Sequence, residues 1–484
     1  MFIGIDIGTT SVKSVLVDEA GDLVGSATAA LTVSRPHPGW SEQDPSAWWD
    51  AVAATMDRLH AAHPDAMTRV EGIGLSGQMH GATLLGADGR VLRPAILWND
   101  GRSAAECREI EAACPEARAL TGNIAMPGFT APKLLWVRRH EPDIFAQIEK
   151  VLLPKDYVRF HLTGGFVSDM SDAAGTYWLD VARRDWADPL LAATGLDRSH
   201  MPTLAEGTDP TGTLKPELCR RWGIARAPVV AGGAGDNAAS ACGIGAVTPG
   251  SAFLSLGTSG VLFVSNATFA PNTAGAVHTF CHALPNTWHQ MGVILSATDS
   301  LNWLSRVLET SAPTLADSLG GAVTAPSPAM FLPYLSGERT PWNDADARGV
   351  FVGLSQSTDR GALAQAVLEG VAFAFRDCLR VLGDAGTEVT RAFAVGGGAN
   401  SRLWLQIMAS VLDRPLDLGA EADVGASLGA ARLGMAAARG GDPTRFMQTP
   451  RMDATIDPDP ALVPLYAERY ARYRQLYPLA RAAG

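Results

Sequence analysis

The chain has 484 residues, 47% of them hydrophobic and 18% charged, with 50 glycines and a formal net charge of −11. That length exceeds what one hydrophobic core ordinarily organises, so two domains of roughly 200–250 residues are expected, in a packed α/β protein rather than a disordered one. An acidic surface lacks the positive field that nucleic acid and anionic membranes require, but it admits a nucleotide whose charge is carried by backbone N–H groups and magnesium.

Six cysteines, Cys107, Cys114, Cys219, Cys242, Cys281 and Cys378, are scattered without a CxxC pair, the pattern of a reducing compartment. No signal-like segment precedes the first apolar run and none is long enough to span a bilayer. The expectation is a soluble, cytoplasmic protein.

Residues 2–7, 12–17 and 23–29 read as three short strands joined by the turns "GTTS" and "DEAGD", a β-meander. A helix over 44–63 follows, with Asp44 as N-cap and Pro45 at its first position, and "VEGIGLSGQ" (70–78) returns to strand. The second half repeats this grammar with "SAFLSL" (251–256), "GTSG" and "VLFVSN". A helix over 362–382, a strand–glycine turn–helix over 391–412 and a small-residue helix over 425–438 come next. Pro249-Gly250 suggests a boundary, so the domains are placed at 1–245 and 246–484 with a cleft between them. Gly-Thr hairpins are common, and the repeat by itself leaves duplication and coincidence both open. If it is a duplication, each half offers a turn whose glycine permits close backbone approach and whose threonine and N–H groups donate to phosphate. Two such turns suit a triphosphate held from both sides.

More specific strings lie between these elements. They include "SRPHPGWSEQDPSAWW" (34–49), "SGQMHGATLL" (76–85), "RPAILWNDGR" (93–102), "LLPKDY" (152–157), "SDMSDAAGTYWLDV" (168–181), "GDNAA" (235–239), "FLPYLSGERTP" (331–341) and "GGGANSRLWLQ" (396–406). Taken in order they resemble the FGGY family of carbohydrate kinases, and within it the members that act on D-xylulose. The resemblance runs nearly end to end. It implies an α/β fold of two ribonuclease-H-like domains, of the actin/Hsp70 ATPase type, with an interdomain catalytic cleft. It also implies ATP-dependent phosphorylation of D-xylulose to D-xylulose 5-phosphate, with Mg2+. The partner is then a small sugar, neither nucleic acid nor membrane, and a homodimer stays open.

The same resemblance assigns residues. Asp236 becomes the catalytic base and Asn237 its neighbour at the substrate; the bare sequence would equally allow Asp236 to cap a helix. Asp6 becomes catalytic through magnesium or its waters, where an aspartate before a turn often only bonds turn N–H groups. Thr9, Thr10 and Ser11 match the first phosphate turn, Lys13 stands where related kinases carry a phosphate-reaching arginine, and Thr258 matches the second turn. Gly397, with Asn400 or Ser401 beside it, falls at the adenine site, and Asn302 is a further nucleotide candidate. Met79 and His80 match the pair that contacts the ketose, and Trp98 an aromatic lining the sugar pocket. Gly128 replaces an aromatic of glycerol kinases and is read as leaving room for a five-carbon sugar.

Some features stay outside that assignment. His278, Cys281 and His282 in "VHTFCHAL" have a metal-like spacing but no fourth ligand, and the run reads as a strand. Trp48 and Trp49 read as helix-packing residues. "GERTP" has no derivable role, and Trp342 stands where relatives carry histidine. Ala362 falls where an acid or amide is usual, which reads as a missing helix cap. The rivals are a sister FGGY kinase for another ketose or polyol, and an actin- or Hsp70-like ATPase without sugar kinase activity.

Overall fold

The computed structural model describes residues 1–419 and 425–483. Phe2–Ile7, Ser11–Val17 and Leu23–Ala30 pair antiparallel in sequence order. The helix Pro45–Ala62 then crosses, capped by Asp44, whose carboxylate accepts the Ser46 N–H, and it buries Trp48, Val52, Met56 and Leu59. The strand Gly72–Gly77 returns parallel to Phe2–Ile7. The second half builds the same order: Ala252–Leu256 and Gly260–Asn266 pair antiparallel, Trp288–Ile294 extends the meander, and Ala392–Val395 lies parallel to Ala252–Leu256. Each half therefore has its own mixed sheet, each seven-stranded among the described residues. This is the expected pair of ribonuclease-H-like cores.

Two connections interlock the halves. The helix Gly425–Arg439 is sandwiched between the first sheet and the helix Asp236–Ile244. A Cβ on Gly74 would stand 1.8 Å from the Ala430 carbonyl oxygen, and one on Gly429 would stand 1.8 Å from that of Ala239. No side chain fits either place, so backbone meets backbone and the glycines are a packing requirement. The division at 245/246 assigns this helix to the second domain, whereas it covers the sheet of the first. In the other direction, Phe253, Phe263, Phe280 and Met291 of the second half share one apolar cluster with Phe129, Leu134 and Tyr177 of the first. Asn123 stitches that seam by donating to the Thr279 carbonyl (2.8 Å) and accepting from its N–H (3.2 Å).

The long helix of the second half differs from expectation at its start. It runs Arg360–Asp384, and Asp359 accepts the Ala362 N–H at 2.8 Å. The cap is therefore present, three residues before Ala362, which sits inside the first turn. Trp342 also finds its partners: its indole donates to the Tyr334 hydroxyl at 2.9 Å and stacks on Tyr477 at 4.2 Å.

Candidate active site

Strand register brings distant residues of the first half to one edge. Asp6 pairs with Ser76, and Ser76 with Ala234, across three parallel strands. Their carboxyl ends lie side by side and release Gly8-Thr9-Thr10, Gln78-Met79-His80 and Asp236-Asn237 into the same space. Carboxyl ends of parallel strands are where open α/β sheets bind ligands.

Asp236 is the first residue of the helix Asp236–Ile244, with Gly235 as its N-cap. It is thus not itself the cap, and its carboxylate is held by other means. Oδ1 accepts the Asn237 N–H (2.7 Å) and side-chain amide (2.9 Å), while Oδ2 has no bonded partner among the described residues. Burial, then the negative Asp6, pushes the Asp236 carboxyl up to about 6. Asp6 is also raised by burial, against the Ser76 hydroxyl, which donates to Oδ1 at 2.9 Å, and the charge of Lys13. Both aspartates stay partly exposed. Solvent reaches them, although burial still dominates both carboxyls.

The first turn is tied down by residues that the sequence reading passed over. The Thr9 hydroxyl donates to Gln78 Oε1 (3.0 Å), and Gln78 in turn donates to Gln43 (2.8 Å). Gln43 also donates to the Thr9 carbonyl at 2.7 Å. Thr9 therefore has its hydroxyl proton committed, whereas Thr10 is exposed and Ser11 opens the next strand. Trp98 is 43% exposed and its indole donates to Thr9 Oγ1 at 3.0 Å. It stands over this turn. Both glutamines lie within strings already singled out, "SGQMHG" and "SEQDP", so the signal was present without a role attached.

Met79 and His80 follow the central strand. Met79 is buried and packs on Gly235, where a Cβ would meet its Sδ at 2.9 Å. His80 adopts φ +70°, a left-handed conformation that a non-glycine residue takes only under constraint. The constraint is visible: the Thr130 hydroxyl and Lys133 Nζ both donate to its carbonyl, at 3.2 and 2.8 Å. Its Nδ1 lies 2.6 Å from the Gly175 carbonyl. A carbonyl only accepts, so Nδ1 carries the proton and Nε2 is left as an acceptor. Burial, with Lys133 and Arg339 adding to it, lowers His80 to about 3, which keeps the ring neutral. Gly128 has a different reason from the one expected: a Cβ there would lie 2.4 Å from the Trp98 carbonyl oxygen. Close backbone approach, before any question of sugar size, requires the glycine.

In the second half, Gly257-Thr258 and Gly396-Gly397 leave neighbouring parallel strands, Ala252–Leu256 and Ala392–Val395. The carbonyls of Gly257 and Thr258 accept from the backbone of Thr298 (2.9 Å) and Ala297 (2.8 Å), which fixes the turn against the helix Thr298–Val307. Thr258 is exposed, and Asn302 is exposed one turn along that helix. Ser401 is the N-cap of the helix Arg402–Leu412, its hydroxyl accepting the Trp404 N–H, whereas Asn400 is exposed beside it. The metal-like run is a buried strand, His278–Cys281, and among the described residues no three His, Cys, Asp or Glu side chains are arranged so as to hold a metal ion.

Behind Asp236 lies a charged cluster that sequence reasoning missed. Lys155, Asp156, Asp169 and Asp172 are all fully buried, with Lys155 Nζ at 2.5, 2.8 and 3.5 Å from the three carboxylates. Burial opposes the Lys155 charge, but the three aspartates outweigh it and hold the ammonium above its usual range. Asp172 is driven far up by burial, which Lys155 only partly offsets. From this cluster Asp169 accepts the Ser171 hydroxyl (2.5 Å), and Ser171 accepts the Gly235 N–H (3.1 Å), one residue before Asp236. The strings "LLPKDY" and "SDMSDAAG" held these residues, but nothing local in them announces a shared buried site.

The site's two halves agree with two family matches. The description "FGGY family of carbohydrate kinases, N-terminal domain" matches residues 1–243, and the corresponding C-terminal domain matches 252–438. The chain is 51% identical over 483 residues to a xylulose kinase of Escherichia coli strain K12, covering 99% of this chain and 98% of that protein. It is 52% identical over 434 residues to a xylulose kinase of Klebsiella pneumoniae, covering 90% and 89%. A solved structure of a kinase from Brucella ovis, described as a xyloylose kinase, superimposes with a TM-score of 0.98 at 56% identity and complete coverage of both chains. The chain belongs to the FGGY family of carbohydrate kinases.

Proposed function

We propose that this chain transfers the γ-phosphoryl group of ATP to D-xylulose, giving D-xylulose 5-phosphate and ADP. The observation that carries the reading is the edge where Met79-His80 and Asp236-Asn237 meet, with a Gly-Thr turn in each half. The naming of its relatives as xylulose kinases supports the same substrate.

The sugar's terminal hydroxyl sits against Asp236 Oδ2, the oxygen that Asn237 leaves unoccupied. As that hydroxyl oxygen bonds to the γ-phosphorus, the bond to the β–γ bridging oxygen breaks and the proton passes to Asp236. A carboxylate raised to about 6 is ionised above that pH yet more basic than a free aspartate. Most of the acceleration comes from alignment and charge stabilisation, since phosphoryl transfer offers little covalent work to the protein. Neutral His80 accepts a sugar hydroxyl at Nε2, and Met79 forms the apolar floor. Thr10, Ser11 and Lys13 hold phosphate from one half and Thr258 from the other, with Thr9 shaping its turn. The adenosine lies toward Gly397 and Asn400, with Asn302 nearby and Ser401 capping the adjoining helix.

Asp6 fits Mg2+: Ser76 occupies Oδ1, Oδ2 has no hydrogen bond among the described residues, and its charge repels that of Asp236. A single carboxylate suits an ion held mainly by water and phosphates. When bound, Mg2+ neutralises charge on the β- and γ-phosphates. The six cysteines are free and buried, which suits a cytoplasmic site of action. Among the described residues no helix is long and apolar enough to cross a membrane.

The test is an ADP-release assay across ketoses and polyols. D-xylulose should give the highest kcat/KM. A tenfold preference for L-ribulose, L-fuculose or glycerol, about 1.4 kcal/mol of transition-state discrimination, would overturn the substrate.

A further inference from the structure

The "GERTP" segment of the second half reaches His278, which lies beside Phe129 of the first half. Its flanking residues are locked in place. Glu338 Oε1 accepts the N–H groups of Leu295 (3.0 Å) and Arg339 (2.7 Å). Thr340 Oγ1 accepts the Val293 N–H (3.0 Å) and donates to the Ala276 carbonyl (3.0 Å). Glu338 and Thr340 are buried at 2% and 0%, yet Arg339 between them is partly exposed.

The Arg339 guanidinium is under-used for so deep a group. Its one hydrogen bond among the described residues runs from Nη1 to His278 Nε2, at 3.4 Å, and none of their carboxylates lies within ion-pair distance of it. Deep arginines are ordinarily paired, because five N–H donors and a charge are expensive to remove from water. None of the Arg339 nitrogens is buried without a partner, so its remaining donors reach solvent, where a ligand can take the place of water.

The rings around it show which end of the cleft it serves. His278 lies 5.6 Å from Phe129 and 5.5 Å from Phe280, and these two rings lie 5.0 and 6.3 Å from His80. The positive charge of Arg339 is felt at His80 and His278. Asp236 answers instead to burial, Asp6 and Asn237, and Asp6 to burial, Ser76 and Lys13. Arg339 thus belongs to the His80 end, away from phosphoryl transfer.

We propose that Arg339 is a sugar-binding residue, donating from the second half to the oxygens of the ketose end remote from the hydroxyl that is phosphorylated. This rests on the ketose kinase reading above. A ketone oxygen only accepts, so it matches a guanidinium, which only donates; a neighbouring hydroxyl can donate to His80 Nε2 on the opposite wall. The pocket is then incomplete until the second half supplies its arginine.

Arg339→Gln and Arg339→Lys test this, with KM measured separately for D-xylulose and ATP after wild-type turnover is established. Losing a charge-assisted hydrogen bond corresponds to about a ten- to hundredfold rise in KM for the sugar, with KM for ATP held within about twofold. In the wild type, D-xylulose without nucleotide should protect Arg339 from an arginine-modifying dicarbonyl, read by peptide mass, a measurement that needs no variant to fold. An unchanged sugar KM, an equal rise in both KM values, or absence of protection would overturn the assignment. Wild-type enzyme that fails to turn over D-xylulose would instead overturn the function on which it rests.

Discussion

Replacing Asp236 with asparagine should sharply reduce activity and stabilise the fold together. The wild-type carboxyl rises from an ordinary 3.8 to about 6, chiefly through burial. The folded state therefore holds a proton that the unfolded chain has released, and stability falls as pH climbs from about 4 to about 6. Two pK units at 1.36 kcal/mol each make the penalty of carrying the charge about 3 kcal/mol above pH 6. The substituted side chain carries no charge, and its amide oxygen can still accept from the Asn237 N–H. The variant should melt several degrees above wild type at pH 7.5, with the gap closing as pH is lowered toward 4. Loss of a general base typically costs about 10²–10⁴ in rate, and kcat should fall within that span. The assay is thermal melting across pH beside steady-state ADP release. A variant that keeps more than about a tenth of kcat is outside that span and refutes the base. A melting difference that is zero or negative at pH 7.5 refutes the buried charge.

Thr258→Ala should raise KM for ATP while leaving sugar affinity nearly intact, because its hydroxyl is exposed in the second turn while the backbone holds that turn against a helix; calorimetric titration with each ligand separates the two. Gly429→Ala should destabilise the chain by about 1–3 kcal/mol, since its Cβ would lie 1.8 Å from the Ala239 carbonyl oxygen, and chemical denaturation reads this directly. Lys155→Met should cost about 3–5 kcal/mol by removing the buried positive charge that Asp156 and Asp169 face, a loss that shrinks at low pH as carboxylates take up protons; a small loss independent of pH would refute the proposed charge compensation.

What the sequence made legible was local. The Asp44 cap with Pro45, both meanders and the turns after them each follow from a few adjacent residues, and Met79-His80 was placed at a strand end by the apolar run before it. The first residue of the long helix was misjudged because apolar periodicity begins at Ala362, whereas caps lie outside the periodic run. The remaining differences arise from contacts between residues far apart in the chain. Nothing near residue 429 says that this helix covers the first sheet, and nothing near Lys155 says that its charge meets Asp169 and Asp172. Gly128 looked like a matter of substrate size because its true neighbour, the Trp98 carbonyl, is a backbone atom. The sparse bonding of the Arg339 guanidinium is likewise set by a distant residue, His278, rather than by its own string.

Phosphorus NMR of the chain incubated with Mg-ATP and D-xylulose tests the central claim most directly. The account predicts a sugar phosphomonoester resonance that grows in step with ADP and is absent from Asp236→Asn over the same period. ADP appearing with inorganic phosphate alone would identify an ATPase, and no change in the nucleotide resonances would show that D-xylulose is not the acceptor; either result would contradict the account.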